Sequence, residues 1–277
     1  MKFAVCNEVF TGWPWERICA FARETGFEGI EIAPMTFATS VTEVSAAQRS
    51  QIRRAAQDHG LAIPALHMLM FSPKGLHTNS PDPATRRTAV EYLKALIGFA
   101  ADIGCPVMVY GSPPSRAVHP SLTYRQARAY MKESFLACLD LARQHNVTIC
   151  IEPLPSDCTD LFSSVEGALN FVCDVNHPNM GLMVDTKAMS NDVRPVANTI
   201  RAFAPEIRHV HLNDHIGVAP GFGTLDFRPI LHALTQIGYK HWLSLEPFTF
   251  RPDAQSNVAV SLRYLKAVLA EVSQAPA

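Results

Sequence analysis

The sequence predicts an α/β fold, a single barrel of eight parallel strands each followed by a helix, the (β/α)8 or TIM barrel. Three observations carry that expectation. Short apolar β-like runs alternate along the whole chain with longer helical patterns, as βα units of a parallel sheet require. The length, 277 residues, suits a barrel that commonly uses about 250 residues as one domain. Finally, four consecutive predicted strands end on metal-binding residue types, in Cys150-Ile-Glu152, Leu182-Met-Val-Asp185, His209-Val-His211 and Leu243-Ser-Leu-Glu246. Subtracting residue numbers gives separations of 33, 26 and 35 residues, about one strand–helix repeat each. A barrel delivers such strand ends to the one face where it carries its chemistry.

Taken in order, strand one is expected over about 2–7, and a helix near 13–25 stops at Gly26. Strand two, Phe27 to Ala33, leads to a helix near 43–59 ended by Gly60, since glycine accepts the left-handed turn that closes a helix. Strand three covers Leu61 to about Met70 and opens into a polar loop containing Pro73, Pro81 and Pro83. A loop of that length belongs on an active-site rim. A helix near 84–103 ends at Gly104, and strand four is Val107–Tyr110. The Pro- and Ser-rich segment Gly111–Pro120 is a second rim loop, followed by a helix over 122–145 and strand five, Val147–Glu152. Helix 164–176, strand six near 181–185, helix 193–203 and strand seven near 207–212 continue the repeat. Helix 227–237, strand eight from His241 to Glu246 and a last helix over about 256–271 complete it, with a frayed tail after 271. No linker or low-complexity run interrupts residues 1–277, so one domain is expected.

Composition narrows the partners. A formal net charge of −1 and a pI near 6.8 give no electrostatic footprint for nucleic acid or an anionic membrane. No apolar run approaches the roughly 20 residues that span a bilayer, and the start Met1-Lys-Phe-Ala-Val-Cys-Asn7 is too short in apolar residues for a signal peptide. Seven cysteines, an odd number without a Cys-x-x-Cys pair, argue against a disulfide framework and a zinc ribbon. Reduced thiols and a cytoplasmic location follow.

The four strand-end candidates are Glu152, Asp185, His211 and Glu246. Three carboxylates and one imidazole form a mostly hard oxygen set suited to one divalent ion, Mn²⁺ first and Mg²⁺ or Co²⁺ next. Side chains two apart on a strand share a face, so Cys150, Met183, His209 and Ser244 are expected in the layer beneath, with His209 outside the ligand set. Glu31 alternates with Ile30 and Ile32 and points inward. An inward carboxylate needs a partner, either a histidine or arginine that it holds or the substrate. His67 is a satisfied core histidine or a substrate contact, and Lys187 is a surface lysine or a group at a substrate carbonyl. Asp214 and His215 follow the His211 strand and orient ligands or bind substrate. The loop Pro220-Gly-Phe-Gly-Thr-Leu-Asp226 is similar to a phosphate cradle, but it lacks the Lys-Ser/Thr of a P-loop and the third glycine of a dinucleotide fingerprint. Asp226 is expected to cap the following helix.

At these residues the chain resembles the xylose isomerase-like TIM-barrel superfamily, the sugar phosphate isomerase/epimerase group, over nearly its whole length. The matching segments are Ile-Glu152-Pro, Val-Asp185-Thr, His209-Val-His211, Pro220-Gly-Phe-Gly223 with Asp226-Phe227, and Ser-Leu-Glu246. The ligand order Glu, Asp, His, Glu looks like that of the ketose 3-epimerases. The resemblance implies that Glu152 and Glu246 are also the acid/base pair, while Asp185 and His211 only bind metal. Three substrate-contacting positions of that group differ here, being Cys158 in place of glutamate, Ala188 in place of histidine and Gly217 in place of arginine.

The function expected is therefore a metal-dependent epimerase or isomerase of a keto-sugar, working by proton transfer through a metal-stabilised enediolate. No nicotinamide, flavin or ATP is called for. A lyase using the same enediolate, dehydrating an inosose-type sugar or eliminating from a 3-keto-glycoside, is the alternative. A metal-dependent endonuclease fits the near-neutral charge poorly, and a non-catalytic sugar binder would not require two glutamates at one metal. The partner is a small carbohydrate, with a homodimer or homotetramer as the expected assembly.

Overall fold

The computed structural model describes residues 1–191, 194–250 and 252–274. Among these residues there are eight strands: β1 Lys2–Cys6, β2 Gly29–Glu31, β3 Ala65–Leu66, β4 Val107–Tyr110, β5 Thr148–Ile151, β6 Met180–Asp185, β7 Ile207–Leu212 and β8 Trp242–Leu245. They alternate with helices α1 Trp15–Thr25, α2 Ala46–Asp58, α3 Pro83–Ile103, α4 Tyr124–Gln144, α5 Val165–Val175, α6 Val196–Ala202, α7 Phe227–Gln236 and α8 Ala254–Gln274. The strands form one parallel sheet in the order β2-β1-β8-β7-β6-β5-β4-β3. Parallel bridges Gly29↔Ala62 and Ile32↔Leu66 join the flanks of the two end strands. This is the predicted (β/α)8 barrel.

Local chemistry accounts for the element ends. Gly26 and Gly104 close α1 and α3 at φ of 96° and 77°, backbone that a side chain would strain. Asp82 caps α3 through the amides of Ala84 and Thr85, with Pro83 as the first helical residue. Thr123 and Gln126 form a reciprocal capping box at the start of α4. Asp226 caps α7 by accepting from Arg228 N at 3.0 Å.

The chain divides into two compact units, one of Met1–Glu31, Ala55–Ala62 and Met183–Ala277, the other of Ile32–Arg54 and Ile63–Leu182. In the first, β1 pairs with β2 and β8, β7 pairs with β8, and α7 packs against α6 and α8. Phe3, Phe27, Ile30, Phe227, Leu231 and Leu265 are buried there. In the second, β4 pairs with β3 and β5 and α3 packs on α4. Tyr110, Phe135 and Phe171 run through it edge to face, at centroid distances of 5.0 and 6.1 Å. Helical and strand periodicity put these apolar side chains on one face, and their removal from water drives the packing.

Several boundaries differ from expectation. Strand three is reduced to Ala65–Leu66 because Pro64 has no amide to give the ladder and Met68 turns the chain away at φ 50°. Strand two keeps only Gly29–Glu31, its flanks joined by isolated bridges rather than a continuous ladder. Residues 43–45 do not belong to α2; Val41–Glu43 form a 3-10 turn closed by a Ser40–Glu43 capping box. The last helix runs on to Gln274, past the expected fraying at 271. The expected helix start at 193 and the tail at 275–277 lie outside the described residues.

Candidate metal centre

The site is built on the carboxyl ends of β6, β7 and β8. Asp185 ends β6, His211 is the penultimate residue of β7, and Glu246 follows β8. All three are buried, and one donor atom from each lies within 4.8 Å of the others. Asn213, one residue beyond β7, sends its amide nitrogen between the two carboxylates, 3.4 Å from Asp185 Oδ2 and 3.5 Å from Glu246 Oε2.

Glu31, at the end of β2, decides how the imidazoles are held. Its carboxylate is fully buried and accepts from His209 Nε2 at 2.7 Å and His211 Nε2 at 3.0 Å. Burial pushes this carboxyl up, but the charges and hydrogen bonds of His209 and His211 outweigh it and hold it well below the usual carboxylate range. An ionised carboxylate only accepts, so each Nε2 carries a proton. When the ring is neutral, His211 presents its Nδ1 lone pair toward Glu246 Oε2, 3.0 Å away. Two electron-pair donors facing at that distance are reconciled by a shared cation or by protonating the ring. Neighbouring ligands at right angles on an ion with bonds of about 2.1 Å also stand about 3 Å apart. The residues fit a divalent ion, and Glu31 is the carboxylate that orients His211.

His209 occupies the layer beneath. Its Nε2 also meets Ser244 Oγ at 3.2 Å, as the alternation of side chains on β7 and β8 requires. Glu152 stands at the carboxyl end of β5 in the other unit. It is buried, its amide donates to Tyr110 O at 3.1 Å, and its carbonyl accepts from Arg116 Nη1 at 2.7 Å.

The remaining expected residues are placed as follows. His67 is buried just beyond β3, with its amide donating to Ile32 O at 3.0 Å. The Lys187 amide donates to Asp185 Oδ1 at 2.7 Å, and its Nζ stands 5.9 Å from the centroid of the Phe248 ring. Asp214 is fully buried and committed to its own loop. Its carboxylate accepts from Leu225 N at 2.8 Å and Ile216 N at 3.3 Å, and lies 3.1 Å from His215 Nδ1. A Cβ built on Gly223 would overlap that carboxylate, so this glycine of the Gly-Phe-Gly segment is there for close approach to Asp214. Gly217 turns at φ 79°, and its carbonyl accepts from Phe248 N and Thr249 N at 2.9 and 3.1 Å. A long side chain is strained in that conformation, so the loop is not shaped to carry an arginine. Sequence reasoning missed Asn213 and Arg116. The only signals were an amide directly after β7 and a lone basic residue in a rim loop.

The model of the family described as xylose isomerase-like TIM barrel matches residues 19–268. The chain belongs to that family. Within it, the chain is 25% identical over 225 residues to the D-psicose 3-epimerase of Agrobacterium fabrum, covering 80% of this chain and 75% of that protein. It is 25% identical over 234 residues to the L-ribulose 3-epimerase of Mesorhizobium japonicum, covering 84% and 75%. Among solved structures, an L-ribulose 3-epimerase superposes with a TM-score of 0.87 at 21% identity, covering 99% of this chain and 96% of that one. The 3-keto-D-glucoside 4-epimerase of E. coli superposes at 0.83 and 17% identity, covering 96% and 99%. These superpositions show a shared fold.

Proposed function

We propose that this member of the xylose isomerase-like family is a divalent-metal-dependent epimerase or isomerase of a keto-sugar. The observation that carries this is the buried Asp185–His211–Glu246 cluster, with His211 Nε2 held by Glu31. The names of the sequence relatives support the sugar class and the reaction. Asp185, His211 and Glu246 would hold the ion, with Glu152 from β5, the strand next to β6 in the sheet order, as the fourth ligand. When bound, the ion supplies Lewis acidity to the sugar's carbonyl and adjacent hydroxyl oxygens and offsets the carboxylate charge.

The chain's own residues move the proton. One of Glu152 and Glu246 takes it from the carbon beside the carbonyl, leaving the enediolate of the sugar. The other returns a proton. Delivery to the opposite face of the same carbon inverts it, whereas delivery to the former carbonyl carbon moves the carbonyl along the chain and gives an aldose when the deprotonated carbon is terminal. Both glutamates are buried, which excludes water and strengthens their interaction with the reacting atoms. Phe248 and Ile216 are exposed beside Lys187 and Gly217. An aromatic face of this kind suits the apolar side of a sugar ring or an attached group. With Cys158, Ala188 and Gly217 where the ketose 3-epimerases contact substrate, the reading favours a bulkier or more oxidised keto-sugar, such as a 3-keto-glycoside, over a free ketohexose.

The test is a keto-sugar panel with Mn²⁺ in D₂O. Solvent deuterium should enter the carbon beside the carbonyl, and chelator should stop it. Glu152→Gln and Glu246→Gln should each lose on the order of 10²-fold or more in turnover, and one of the two should still exchange a substrate proton. Release of water or an aglycone would instead identify a lyase. Wild-type turnover in both variants with metal bound would refute the two-glutamate mechanism.

A further inference from the structure

The loop between β4 and α4 opens with Gly111 and carries Arg116, and both meet Glu152. Gly111 has no left-handed φ, so its backbone does not require glycine. Space does. A Cβ built there would overlap Glu152 Oε2 and stand 3.1 Å from Cδ. Among the described residues, the atoms it overlaps belong to the carboxylate end of a flexible side chain, with Leu154 Cδ1 next at 3.8 Å. An alanine is therefore accommodated by moving that carboxylate, and the fold around it has no reason to change.

Arg116 acts on the other end of the same residue. Its guanidinium is completely buried, and Nη1 donates to Glu152 O at 2.7 Å and to Tyr110 O at 3.5 Å. Those two carbonyls stand at the ends of β4 and β5, where the ladder finishes with Glu152 N on Tyr110 O. Arg116 bridges the strand ends beyond that last rung. Among the described residues its Nε and Nη2 find no hydrogen-bond partner, although Tyr110, Glu152, Asp160 and Cys158 surround the charge. A buried cation left partly unsatisfied is costly, and a neutral apolar side chain would serve packing better. A positioning role accounts for a buried charge at this place.

We infer that Gly111 and Arg116 are positioning residues for Glu152: the glycine leaves the volume in which the carboxylate sits, and the arginine fixes the strand end that carries it. The inference rests on the reading of Glu152 as a metal ligand and proton carrier. Residues supporting metal ligands typically change affinity on the order of 10–100-fold when replaced. Gly111→Ala should weaken Mn²⁺ binding by that factor, measured by calorimetry on the full chain, with far-UV circular dichroism and melting temperature close to wild type.

The distinguishing arm uses Glu152→Asp, which draws the carboxylate back by one methylene. If Gly111→Ala acts through that carboxylate, the double variant binds Mn²⁺ better than the product of the two single losses predicts. Arg116→Met should weaken Mn²⁺ binding too, with Arg116→Lys restoring part of it. Failure of the wild-type chain to bind Mn²⁺ would remove the reading of the site itself. Wild-type binding with unchanged affinity in Gly111→Ala, or independent losses in the double variant, would overturn this inference alone. Should Arg116→Met fail to fold, the Gly111 and Glu152 variants decide the matter.

Discussion

Replacing Glu31 by glutamine tests the centre at the point where its geometry is set. The carboxylate accepts from two imidazoles, at 2.7 Å from His209 Nε2 and 3.0 Å from His211 Nε2. A glutamine of the same size offers one oxygen and one NH₂, so it satisfies one imidazole and confronts the other donor to donor. That imidazole must change tautomer. If it is His211, Nδ1 takes the proton and stops offering a lone pair to an ion. If it is His209, the hydrogen bond to Ser244 Oγ, 3.2 Å long, is rearranged instead. Either way a buried group goes partly unsatisfied, worth about 1–3 kcal/mol of stability without metal.

The metal adds a second, separable effect. At an ion concentration of about 100 Kd, binding stabilises the native chain by roughly 2.7 kcal/mol. A site weakened about 10–100-fold retains only about 1.4 to 0.4 kcal/mol by the same relation. For a chain of this size about 1 kcal/mol moves Tm by roughly 2–4 °C, so the Mn²⁺-induced rise in Tm should shrink by roughly 3–9 °C on the same scale. Thermal melts of wild type and Glu31→Gln, each with chelator and with Mn²⁺, read both quantities. A variant that keeps the full Mn²⁺-induced rise, and melts like wild type in chelator, would refute Glu31 as the residue that sets the histidine tautomers.

Asp214→Ala should cost about 1–3 kcal/mol for each loop amide it orphans, Leu225 and Ile216, and should expose residues 214–226 to protease; denaturant titration and limited proteolysis check this. Lys187→Met should reduce turnover several-fold while leaving Mn²⁺ affinity nearly unchanged, because Nζ points toward the Phe248 ring; kinetics and calorimetry on one preparation separate the two. Free fructose, psicose and tagatose should be poor substrates beside a 3-keto-glycoside, and a free ketohexose emerging as the best substrate of the panel would overturn the substrate reading.

Much of the barrel was legible because its rules are local. The alternation of short β-like and long helical patterns gave the element count. Gly26, Gly104 and Asp226 announced their helix ends through φ requirements and side-chain capping within a few residues. The strand ends carrying Asp185, His211 and Glu246 were readable because β-strand alternation and barrel polarity send such residues to a known face. What failed was the length of β2 and β3, where Pro64 and the backbone turn at Met68 cut short an apolar run that periodicity alone extends to Met70.

By itself, then, the sequence determined the βα repeat, the helix caps and which residue types end each strand, all consequences of steric and hydrogen-bonding preferences acting over one or two turns. Only the tertiary structure decided that Glu31 grips His209 and His211 from 178 and 180 residues away. It alone showed that Asp214 is used by its own loop, and that a Cβ on Gly111 would overlap the Glu152 carboxylate. Those pairings have no local signature. They exist because packing brings distant strand ends and loops together, and inside that packing a buried charge must find its partner wherever in the chain it lies.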